Sequence, residues 1–143
     1  MQPAMFETLE RRSLLSSAHF INGPTLTDQG TTLKATGSIA GLGNGDVTVL
    51  LNAQVTATII CTNPSGNVAP GQTSNVNVSG QQTITDVKNG RINFSVTTIA
   101  PTAPAKSCPN NKWTASVTNV NFSSATLTIE QGGQVVLTAS TTF

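Results

Sequence analysis

An all-β, antiparallel sandwich is the fold class this sequence predicts, on three observations. The polar residues are mostly uncharged: 23 Thr, 13 Ser and 13 Asn stand in a chain of 143 residues of which only 9% are charged, a β-branched, hydroxyl-rich composition that suits a pleated surface. Apolar residues recur at every second position over long stretches, the period of a half-buried strand. Gly- and Asn-rich turn signals separate those stretches at short intervals.

The first twenty residues differ from the rest, because they hold Arg11, Arg12, Glu7, Glu10 and the single histidine, His19. Phe6, Leu9, Ser13, Leu14 and Leu15 recur at helical spacing and predict a short helix, marginal on its own at this length. The breaker sequence Asn22-Gly23-Pro24 places a boundary there, leaving 1–23 as a leader or linker and 24–143 as the β-domain.

Within the domain, Thr32 to Ile39 alternates Leu33, Ala35, Gly37 and Ile39 against polar residues, and Gly41 to Asp46 reads as the turn of a first hairpin. The strongest segment is Asp46 to Cys61, where Val47, Val49, Leu51, Ala53, Val55, Ala57, Ile59 and Cys61 keep period two over sixteen residues. That length exceeds an ordinary strand and predicts a bend or service in two sheets. Val76, Val78 and Ile84 mark the next strand, which the Lys88-Asn89-Gly90 turn joins to Ile92, Phe94 and Val96 as a second hairpin. Trp113, Ala115 and Val117 begin a further strand, and the change of parity at Val120 and Phe122 predicts a bulge or corner. Ala125, Leu127 and Ile129 then pair, across Gln131-Gly132-Gly133-Gln134, with Val135, Leu137, Ala139 and Phe143. Seven or eight strands at this spacing predict an immunoglobulin-like sandwich, with a jelly roll or small β-barrel as the alternative.

Leu9-Glu10-Arg11-Arg12-Ser13-Leu14-Leu15, preceded by Phe6-Glu7, resembles the L-E-P-R-x-L-L leader of exported planctomycete surface proteins. Arg11 stands where that family has proline, and the other five fixed positions match. The resemblance implies export to the cell surface and carries no activity with it. An incidental amphipathic tail is the competing reading. From Thr31 onward the chain resembles small secreted bacterial immunoglobulin-like β-domains in texture, without a diagnostic motif.

The two cysteines test the strand scheme. With strand directions alternating, Cys61 at the end of the long strand and Cys108 in a later loop fall at the same end of the domain, where a disulfide would tie the loops 62–72 and 101–111 into one cap. The competing reading is two buried free thiols. A disulfide places the domain outside the cytosol, whereas a metal site would need further ligands than one distant histidine supplies.

Signals for chemistry are sparse. A hydrolase triad needs a base beside its nucleophile, and His19 lies in the leader; Asp28, Asp46, Asp86 and Glu130 fall separately in or near turns, whereas glycoside chemistry needs two facing carboxylates. Gly41 to Gly45 opens onto a strand and does not form a phosphate-binding loop. Asp46 and Asn44 are too few oxygen ligands for calcium. With a formal net charge of +1 there is no basic footprint for nucleic acid, and no apolar run is long enough to span a bilayer as a helix. No cofactor is expected. Trp113 beside Asn110 and Asn111 has two readings: a ligand contact whose ring stacks on a sugar face, or a core residue starting its strand.

Two functions follow as expectations. The first is a non-enzymatic structural protein of the extracellular surface or matrix, engaged in adhesion or self-assembling into filaments by strand addition, in which the leader or the C-terminal strand Gln134 to Phe143 completes a neighbour's sheet, with Phe6, Leu9, Leu14, Leu15 and Phe143 in the assembly segments. The second is a monomeric module that binds polysaccharide or another surface protein through the Cys61/Cys108 cap.

Overall fold

The computed structural model describes residues 17–69 and 72–143. Those residues form eight strands and no helix: β1 (His19–Asp28), β2 (Leu33–Ala40), β3 (Gly45–Thr62), β4 (Val68–Ala69), β5 (Thr73–Val87), β6 (Ile92–Thr97), β7 (Thr114–Gln131) and β8 (Gln134–Thr142). The expected leader helix, with Phe6, Leu9, Leu14 and Leu15, lies outside the described residues. The expected boundary at Asn22-Gly23-Pro24 falls inside β1, at register shifts in its pairing with β2.

All pairings are antiparallel and divide between two sheets, β1-β2-β6 and β4-β3-β7-β8, with β5 also on β3. Labelled in immunoglobulin fashion, the first sheet is A-B-E and the second C′-C-F-G, with β5 as C′. The expected sandwich is therefore the fold, but two of its three expected hairpins are not. β2 pairs with β1 and β6 instead of β3, and β6 pairs with β2 instead of β5. The Gly41 and Asn89-Gly90 turns carry the chain from one sheet to the other. They lie side by side, with the Leu42 N–H donating to the Gly90 carbonyl at 3.1 Å, and a side chain on Gly90 would run into the Leu42 carbonyl. A turn that crosses between sheets needs the same left-handed residues as a hairpin (Gly41 φ 80°, Gly90 φ 73°), so local sequence does not separate the two. The third hairpin, β7–β8, forms as expected across Gly132-Gly133.

The long strand β3 serves one sheet only. It is the sheet's centre, paired with β7 along one edge and with β5 and then β4 along the other. All eight of its alternating apolar residues, Val47 to Cys61, are buried. The first six, Val47, Val49, Leu51, Ala53, Val55 and Ala57, pack with Leu33, Ala35 and Ile39 of β2, Ile92, Phe94 and Val96 of β6, and Phe122, Ala125, Leu127 and Ile129 of β7 in one core; Phe20 of β1 meets Phe94 edge to face, with ring centres 6.2 Å apart.

The parity change expected in β7 is two bulges. Opposite β3 the register skips Thr118 and Ser123, and each skipped residue turns its hydroxyl onto the opposing strand. Thr118 Oγ1 donates to the Thr58 carbonyl at 3.3 Å, and Ser123 Oγ to the Gln54 carbonyl at 3.1 Å. A bulge leaves ladder groups without their regular partner, and a hydroxyl at the extra position supplies one. The same logic holds in β5, where Asp86 sits at φ 57° and its N–H donates to Asp46 Oδ1 at 3.2 Å. The register shift there brings Val87 into the core.

Candidate functional site

Chemistry-bearing residues gather at the pole of the sandwich opposite the two crossover turns. The Cys61–Cys108 disulfide is formed, with the Cα atoms 5.7 Å apart. What brings the sulfurs together is the pairing of β3 with β7: Thr62 at the end of β3 lies opposite Thr114 at the start of β7, so the loop leading into β7 must pass over Cys61. Direction counting succeeds here despite the misplaced hairpins, because a crossover reverses the chain as a hairpin does. Ile59 and Cys61 are buried but stand apart from the main core, and the disulfide fixes the loop 98–113 across this end of the sheet.

The cap is stiffened by local backbone contacts. Asn63 N–H and Oδ1 meet the Asn67 carbonyl and N–H at 2.9 and 2.8 Å. Asn110 accepts from Lys112 N–H on Oδ1 at 2.9 Å, and from Trp113 N–H on its carbonyl at 3.3 Å. Trp113 is half-buried and lines an open cavity of about 450 Å³ with Asn110, Asn111, Lys106, Ser107 and Pro104. The structure thus brings Trp113, Asn110 and Asn111 to one surface beside the disulfide, and gives Trp113 a place at the rim of the fold instead of in its main core.

The carboxylates have local roles. Asp28 Oδ1 accepts from the Gly30 N–H at 2.8 Å, shaping the β1–β2 turn, and Asp46 takes the Asp86 N–H. Among the described residues no group of three or more His, Cys, Asp or Glu is placed to hold a metal ion, and no helix is long and apolar enough to cross a membrane.

The second surface is the lateral edge formed by β1 and β8, of which the expectations named only the C-terminal strand, Gln134 to Phe143. A groove of about 160 Å³ opens between these strands, lined by Pro24 and Leu26 of β1, Ala139 and Thr141 of β8, with Leu51 and Leu127 as its floor. β8 itself is largely exposed, including Val135 and Val136, as is Phe143 just after it; the Phe143 N–H donates to the Ser123 carbonyl at 3.0 Å, which ties this end to the second bulge. Sequence reasoning missed the groove because it lies where two strands from different sheets come alongside each other. Compared with protein-family models, with curated proteins and with solved structures, the chain has no match.

Proposed function

We propose that the chain is a non-enzymatic structural component of the extracellular surface or matrix that associates with further copies by adding strand to strand. The observation that carries this reading is the open edge of the five-stranded sheet: β8 is exposed and, from Gln131 to Phe143, has no charged residue. Soluble β-proteins ordinarily blunt such an edge with charge, proline or cover. The disulfide supports an oxidising compartment, and the resemblance of 9–15 to an export leader points the same way. Sedimentation equilibrium on the oxidised chain tests the reading. Average mass is expected to rise above that of a monomer as concentration rises; a monomer at every concentration would overturn it.

A second reading has its own support in the Trp113 cavity, whose exposed amides and partly accessible ring suit a sugar face. It expects a monomer whose tryptophan emission shifts on titration with a polysaccharide, and whose binding heat in calorimetry with the same polysaccharide is lost in Trp113→Ala.

A further inference from the structure

We infer that the contact between copies is a closed, two-fold pairing of β8 with β8, which joins two five-stranded sheets into one of ten strands; this rests on the self-association proposed above and assigns it to one edge.

The assignment comes from comparing the edges. In the three-stranded sheet, β1 carries Pro24 and two register shifts along its length, both of which discourage a further strand. The opposite edge, β6, is six residues long, and its Ser95 N–H is already taken by Gln82 Oε1 of β5 at 2.9 Å. The β5 edge is covered in its middle. Ile99 N–H donates to the Ser79 carbonyl at 3.0 Å, and the chain at Thr97–Thr98 passes so close over Gly80 that a Cβ there has no room. Asp86 adds charge near the end of the same strand. β8 has none of these covers among the described residues: nine residues long, it has one neighbour, β7, and its single register shift lies at its start, near Val135.

This distribution decides the symmetry. An open filament in this sheet needs two different free edges, the β8 of one copy on the β5 of the next, and β5 is obstructed at Ser79–Gly80. One free edge leaves the isologous arrangement, in which the same strand meets itself antiparallel and the assembly closes at two. Two further features favour a second copy as occupant. The edge is neutral, so like meets like without charge repulsion. Beside it the apolar groove between β1 and β8 opens outward on the same flank, so the two-fold places the grooves of both copies against one another and withdraws both from water.

Lysines on the exposed β8 positions test the assignment, using Thr138→Lys and Ser140→Lys together. In a two-fold pair they bring four like charges onto adjacent rungs, and like charges opposite one another destabilise a strand pair. The dimer dissociation constant in sedimentation is expected to rise at least about tenfold, with far-UV circular dichroism and the thermal midpoint of the monomer retained. As an independent readout, single cysteines at Thr138, Ser140 and Thr142 are expected to give disulfide-linked dimers, most strongly at the position nearest the axis. If wild type associates and the lysine variant associates equally well, or if the series continues beyond dimer, the β8 pairing is overturned while self-association stands. If wild type is monomeric throughout, both fall.

Discussion

At the scale of single residues, much of this fold depends on hydroxyls and amides standing where a backbone partner is missing. Thr98 is the buried example: its Oγ1 accepts from the Leu33 N–H at 3.0 Å while its own N–H donates to the Leu33 carbonyl at 2.9 Å, which extends the β2–β6 pairing past the last rung. Thr98→Val keeps the shape and leaves the Leu33 N–H buried without a partner, so it is expected to cost about 1–3 kcal/mol in urea unfolding. Gln131 works similarly at the surface, where its side-chain amide accepts from the Gly43 N–H at 2.7 Å and donates to the Gly43 carbonyl at 2.8 Å. That clamp holds the crossover loop from β2 to β3 against the end of β7. The abundance of Thr, Ser, Asn and Gln in the sequence is thus partly a surface composition and partly a set of local backbone partners. Composition alone does not distinguish these roles, since the difference lies in where the neighbouring strand shifts register.

At the scale of elements, the close approach of β5 and the end of β6 closes one flank of the sandwich, and Gly80 permits it. Gly80→Ala would push Thr97 and Thr98 away from β5, and the expected loss is about 1–3 kcal/mol, measured as a lowered urea midpoint. β2, β3 and β6 were legible because their inner faces are apolar at strict period two: their residues expected inside, from Leu33 to Val96, are buried, Gly37 apart, whereas β1 was not, because Asn22-Gly23-Pro24 reads as a breaker in the middle of it. The first bulge in β7, at Thr118, was legible too, because an extra residue flips parity and the sequence records the flip at Val120 and Phe122; the second, at Ser123, was not expected. Pairing was not legible for β2 and β6, because a Gly-Asn turn fits a step to the opposite sheet as well as a hairpin. Of the candidate sites, the disulfide could be reached by counting reversals. The β1–β8 groove depends on which strands end up at the flanks, which requires the pairing that was missed.

At the scale of the whole molecule, the disulfide closes a loop 47 residues apart in sequence and joins the far end of β3 to the loop that enters β7. Chain-entropy arithmetic for that separation gives about 4 kcal/mol of stabilisation, so Cys61→Ser with Cys108→Ser is expected to unfold at markedly lower urea while keeping its sheet signature in circular dichroism. The core lies between the sheets and does not depend on the cap, which is why the fold should survive the change. The same bond bears on the proposed place of action, since a pair of cysteines stays oxidised outside the cytosol and is kept reduced within it. Intact mass of the protein from its native cells, alkylated in denaturant without reductant, tests that connection most directly. No added alkyl group is expected until a reductant is present; two alkylated thiols in unreduced protein would rule out a disulfide-bonded, extracytosolic protein.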